Sequence, residues 1–364
     1  MNNIIPIVKP YMPPKEKLMP RLESILYSGY ISEGDAVYEF EGKFANLIGN
    51  PYCVSVNCGT AALHIALLLI GVGKGDEVIS TALTAEPTNT TIALTGAKIV
   101  FADVDINTGL IDPKSIESLI NEKTKAIMVV HYAGMVCDMD SINAITEKFN
   151  IPVIEDAAHA FMSKYKGKYV GNNSAYTCFS FQAIKHLTTV DGGILCLKNH
   201  EEYNRAKKLR WFGLDKKIPR LQNNITEAGY KYHMNNVNAT IGLVQLECLE
   251  DDVQKYIENG KYYDGALKDV RGLTLIPYYN NTEPSYWLYT IKVERRADFI
   301  EKLEENGISA SPLHLRNDRH TVFASERTLS NLDVFYEEFV HIPCGWWLTT
   351  EERGRIVDVI KKGW

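Results

Sequence analysis

Seven cysteines in 364 residues, at positions 53, 58, 137, 178, 196, 248 and 344, form no CxxC pair. That spacing excludes a zinc ribbon or a dithiol motif, and the cysteines read as small buried hydrophobes of a reducing compartment. Long hydrophobic runs are also missing. The longest, 61–72, is interrupted by His64 and is too short to span a bilayer, so no membrane partner is expected. The N-terminal stretch MNNIIPIVKPYMPPKEK has neither the apolar core nor the small-residue cleavage site of a signal peptide. The chain's 39 basic and 45 acidic residues are mixed and form no basic stripe, which removes nucleic acid from the expected partners. No Walker loop, GxGxxG fingerprint, internal repeat or low-complexity linker occurs. These absences leave a soluble chain expected in the cytoplasm, 45% hydrophobic and long enough for two domains.

Between residues 50 and 200 apolar strands alternate with amphipathic helices. The strand candidates are 52–57, 77–81, 98–104, 125–132, 152–155, 176–181 and 193–198. Several are near-continuous Val/Ile runs, the pattern of strands covered on both faces of a parallel sheet. The segment 138–150 predicts a helix with Ile142, Ile145 and Phe149 on one face. Asp112-Pro113 predicts the start of the helix before it, a capping acid followed by proline in the first turn. A long helical segment begins near Asn235. It leads to strand candidates at 286–293 and 309–314 and a helix at 297–306. The expected fold is α/β: a large domain, 1–250, with a mainly parallel seven-stranded sheet flanked by helices, then a smaller α+β domain, 251–364.

Ligands of such sheets bind beyond the carboxyl ends of the strands, and three groups converge there. The strand ending at Asn57 runs through Cys58-Gly59-Thr60 into a helix, where close backbone approach and first-turn amides favour an anion such as phosphate. Alone, that Gly-Thr pair could be a simple turn. The run VIEDAAH delivers Asp156 and His159, and FSFQAIKHLTTVDGG delivers Ser180, Gln182 and Lys185. A lysine able to form an imine and an aspartate able to hold a pyridine nitrogen are what pyridoxal phosphate (PLP) asks of a protein. In this reading the catalytic residues are Lys185, Asp156 and His159. Asp156 keeps the pyridine nitrogen charged, Lys185 moves the proton, and Ser180 assists the phosphate. His159 or Gln182 bonds the ring's phenolic oxygen.

With these residues in view, the chain resembles the DegT-type, or 3-amino-5-hydroxybenzoate-synthase-like, sugar aminotransferases of the aspartate-aminotransferase superfamily, PLP fold type I. The similarity runs from LYSGYI at Leu26 and Glu39-Phe40-Glu41 through NCGTAAL, KGDEVIST, GAKIVFADVD and EDAAHAF to FSFQAIKHLTT, GYKYHMNNVNATIGLVQL and IPCGWWLT. It implies a homodimer with shared active sites. It also implies transfer of an amino group from L-glutamate, through pyridoxamine phosphate, to a ketone carbon of a nucleotide-linked deoxysugar for surface glycans or glycosides. Lys185 takes the imine position, Asp156 the ring-nitrogen position, and Gly59, Thr60 and Ser180 the phosphate positions. Lys231 stands where the family places a phosphate-binding asparagine from the other subunit, and it reads equally as a surface charge.

The chain departs from the family at Ala85, where relatives carry an aromatic residue, at Met162 and Val190, where glycine is usual, and at Met135-Val136. Substrate candidates are Tyr30, Tyr132, His314 and Arg316, the last suited to a bidentate grip on carboxylate or phosphate. Family dehydratases carry histidine at the imine position, but the spacing from Ser180 lands on Lys185, leaving His186 to packing. The alternatives are an aminotransferase for a small phosphorylated ketone held by Arg316, a PLP-dependent sugar dehydratase, and a degenerate PLP-binding regulatory protein.

Overall fold

The computed structural model describes residues 4–364 except 324 and 326. Seven strands form the central sheet: β1 (Cys53–Val56), β2 (Glu77–Thr81), β3 (Lys98–Ala102), β4 (Thr124–Val130), β5 (Val153–Asp156), β6 (Tyr176–Ser180) and β7 (Gly193–Leu197). They lie in the order β1-β7-β6-β5-β4-β2-β3. The pairs from β6 through β5, β4 and β2 to β3 are parallel, and β7 runs antiparallel between β1 and β6. All seven coincide with predicted strands. Apolar layers cover both faces of the sheet, and the helix Gly59–Ile70 is buried nearly all round. It starts where the Cys58 sulfur accepts a hydrogen bond from the Ala61 amide and stops at Gly71, whose φ of 79° suits glycine.

The helix starts read from sequence follow from the caps. Asp112 accepts from the Lys114 amide ahead of Pro113–Leu119, and Asp138 accepts from the Ser141 amide ahead of Met139–Phe149. Ile142 and Ile145 are buried there, whereas Phe149 is exposed, with the Lys148 amine against its ring. The segment after Asn235 is two helices, Asn236–Leu246 and Leu249–Ala266, not one.

A separate apolar cluster surrounds a second sheet of Leu273–Leu275, Tyr289–Val293 and Phe339–Ile342, packed by the helices Leu249–Ala266, Arg296–Glu305 and Thr350–Lys361. The predicted strand at 309–314 does not form. Pro312 has no amide to donate and Leu313 has φ of 64°, so only a single bridge, Ser311 to His341, survives. The segment lies beside the strand Phe339–Ile342 without extending the sheet. The N-terminal segment joins the same region, with Ile5 bonded to Gly307 and Ser309.

Candidate active site

The carboxyl ends of β1, β5 and β6 open on a cavity of about 370 Å³. Gly59, Thr60, Asp156, His159, Ser180, Gln182, Lys185 and His314 all line it. At its head stand the amides of Gly59 and Thr60, which precede any intrahelical acceptor. A Cβ on residue 59 would lie 2.8 Å from the Ser180 Cβ, so only glycine lets the helix start beside the serine hydroxyl. Together they form a compact cradle for an anion.

Asp156, at the end of β5, is buried. Its Oδ2 accepts from the Thr88 hydroxyl at 2.8 Å and its Oδ1 from the Ala158 amide at 3.1 Å. Burial raises its pKa, and the Thr88 and Ala158 bonds and the Lys185 charge oppose the rise. Lys185 sits in a tight turn closed by its own amide to the Gln182 carbonyl, 2.9 Å, with the Ile184 amide on the Gln182 side chain at 3.1 Å. Its Nζ lies 3.7 Å above the centre of the Trp287 ring, and the Trp287 indole donates to the Ile184 carbonyl at 2.9 Å. The side chain opens on the cavity, yet the amine is desolvated enough to bring its pKa down to about 7.

His159 stacks on the same indole, its ring centre 3.9 Å from that of Trp287. Its Nδ1 accepts from the Ala133 amide at 3.3 Å, and burial holds its pKa well below the usual value. It is therefore neutral, with the proton on Nε2. His314 also lines the cavity; burial lowers it to about 4, and its Nε2 has no hydrogen-bond partner among the described residues. His186 turns away, donating to the Ser285 carbonyl at 3.1 Å and packing edge-on to Tyr256.

Four other candidates lie outside this cavity. Tyr132 is buried behind it, its hydroxyl 3.2 Å from His341 Nε2, with its ring beside His159. Arg316, expected to grip substrate, is committed to the Asp318 carboxylate through two nitrogens and to Asp333 through a third. Tyr30 and Lys231 are exposed, their carbonyls accepting from Asn236 and Asn57.

Sequence reasoning missed Trp287, Thr84 and Thr88. Thr84 and Thr88 follow β2 at the same sheet edge, so the rule that singled out Gly59, Asp156 and Ser180 applies to them too. Nothing local marks Trp287, which reaches the site from 102 residues downstream of Lys185 (287 minus 185).

Residues 14–361 match the model of the DegT/DnrJ/EryC1/StrS aminotransferase family. The chain belongs to this family. Among solved structures, the fold is similar to AtS13 from Actinomadura melliaura, 39% identical over the whole of both chains with a TM-score of 0.97. It is also similar to the sugar aminotransferase CalS13 from Micromonospora echinospora, 36% identical over 99% of this chain and 100% of the other, TM-score 0.95. The PLP form of Spr1654 from Streptococcus pneumoniae shares 28% identity over 99% of this chain and 98% of its own, TM-score 0.90. The protein is a PLP-dependent aminotransferase of the sugar-aminotransferase family, with the mostly parallel fold expected. The cavity fits that cofactor: an anion cradle at one end, a buried carboxylate, and a lysine amine that sheds its proton near neutrality. No helix among the described residues is long and apolar enough to cross a membrane.

Proposed function

We propose that this aminotransferase takes the amino group of L-glutamate and transfers it to a ketone carbon of a nucleotide-linked deoxysugar, in the synthesis of surface glycans or glycosides. The observation that carries the reading is the meeting of the Lys185 amine and the Asp156 carboxylate in one cavity headed by the Gly59–Ile70 helix. Similarity to CalS13, a sugar aminotransferase, supports the acceptor class.

When bound, PLP supplies the electron sink that lets an amino-bearing carbon lose a proton and exchange its nitrogen. The chain's residues do the rest. Gly59, Thr60 and Ser180 hold the phosphate. Asp156 keeps a proton on the ring nitrogen. His159, neutral and fixed by Trp287 and Ala133, would bond the ring's phenolic oxygen, a task open also to Gln182. Lys185 is the base: with a pKa of about 7 it both accepts and returns a proton near neutral pH. His314 faces the acceptor, and Tyr30 and Lys231, which lie outside the cavity of their own chain, reach the acceptor and the phosphate of a second subunit in a homodimer whose chains each carry domains 1–250 and 251–364.

A small phosphorylated ketone would need Arg316 as its handle, and that guanidinium already answers two carboxylates. The dehydratase reading would need a histidine at the lysine position, and His186 is turned to the Ser285 carbonyl instead. The test is an absorption spectrum of the PLP-loaded protein before and after L-glutamate. Conversion to the pyridoxamine form, reversed by a keto-sugar nucleotide and absent in Lys185→Ala, is expected. Conversion that persists in Lys185→Ala sinks the mechanism, and a spectrum indifferent to glutamate sinks the donor.

A further inference from the structure

Thr84, in the turn after β2, and Thr88, in the first turn of the helix Glu86–Leu94 that follows, face the same cavity and have no part in the roles above. Thr88, which is buried, donates its only hydroxyl proton to Asp156 Oδ2 at 2.8 Å, since a carboxylate accepts and cannot donate. The Thr84 hydroxyl lies 2.8 Å from that of Thr88, so Thr84 must be the donor in this pair. The chain of donors therefore has one direction: Thr84 to Thr88 to Asp156. Its far end is anchored across the molecule. The buried Asn317 side chain donates to the Thr84 carbonyl at 2.8 Å and accepts from Asn89 at 2.8 Å, and its amide donates to Ala82 at 2.7 Å.

We propose that Thr88 is a positioning residue for the cofactor's ring nitrogen, acting through Asp156: its hydroxyl, oriented by Thr84, occupies one side of the carboxylate and aims the remaining lone pairs at the ring. This rests on the reading of Asp156 as the ring-nitrogen partner. The physical need is clear. A carboxylate without water is driven toward its neutral form, and a neutral acid could not hold a protonated ring. The charged or titratable groups facing Asp156 are Lys185 from the turn after β6, His131 at the end of β4, Cys178 opposite it on β6 and His159 on its own segment. His131 is bonded to Glu155, which leaves the Thr88 hydroxyl and the Ala158 amide as the two direct donors among the described residues.

The experiment is titration of the apoprotein with pyridoxamine phosphate, which makes no covalent bond to Lys185, across pH 5 to about 9. Thr88→Val should weaken binding about tenfold at neutral pH. It should also move the acid loss of binding upward by about one pH unit, because the carboxylate protonates more readily without its donor. Thr88→Ser, which keeps the hydroxyl, should bind as the parent does. Thr88→Ala replaces the valine variant if the latter does not fold. Binding and acid limb unchanged in the folded variant, while Asp156→Ala binds weakly, overturns the proposal alone. If Asp156→Ala also binds as the parent does, the ring-nitrogen reading falls, and the Thr88 role falls with it.

Discussion

An amine that loses its proton on folding leaves a pH signature of its own. Lys185 has a pKa of about 7 in the folded chain, because burial disfavours the charged form, against about 10.4 when unfolded. Between those values the unfolded chain binds more protons than the native one, so stability rises with pH across that window. As pH falls from about 10 to about 7 the apoprotein should therefore lose stability relative to Lys185→Met, and below about 7 the difference should level off. Denaturant unfolding of both apoproteins across that range checks this, and parallel curves would contradict it. The same value sets the chemistry, since an amine poised near neutrality serves as base without leaving much of the enzyme in the wrong protonation state. Lys185 was legible from its motif, but its basicity was not. The desolvation comes from a wall that includes Trp287, which no local pattern ties to the lysine.

Among the elements, the turn joining β6 to β7 carries a visible cost. In it Val190 has φ of 71°, and in the segment between β5 and β6 Met162 has φ of 65°, both in the left-handed region that disfavours a side chain and most of all a β-branched one. These are the two positions where the resemblance leads one to expect glycine, and their positive φ is the physical reason glycine would suit them. Val190 is about half exposed and its amide is held by the Thr188 hydroxyl, so its side chain contributes little packing. Val190→Gly should stabilise the fold by about 1 kcal/mol, relief of the strain exceeding the added freedom of the unfolded chain. A melting temperature unchanged or lowered would show that the valine is not strained. Local chemistry of this kind made the cap at Asp112 readable in advance, whereas the cap at Asp138 emerged from the structure. The strand proposed for 309–314 fails at Pro312, which has no amide to donate, and at Leu313, whose φ of 64° leaves the extended region.

Across the whole molecule, the segment after Ser311 and the central sheet meet at the site. His314 reaches the cavity and Asn317 clamps the turn after β2, while Arg316 between them is buried in an ion pair with Asp318 and Asp333. The homodimer remains the proposal on which Lys231 depends. Lys231 is exposed in the single chain and away from its own cavity. Lys231→Ala should weaken PLP affinity about tenfold, the effect of removing one charge-assisted bond to phosphate. An unchanged affinity, measured on a particle that sediments as a dimer, would return Lys231 to the role of a surface charge.

The sequence by itself determined the seven strands, the sheet-edge placement of Gly59, Asp156, Ser180 and Lys185, and the family. Those features rest on periodicity, turn residues and short motifs, all of which act within about ten residues of chain. Only the tertiary structure decided that Trp287 lies under the lysine, that Thr88 holds Asp156, that Arg316 is already paired and that His314 is left with an open nitrogen. Each of those depends on packing segments distant in the chain, where a side chain's role is set by which charge or ring it happens to be buried against.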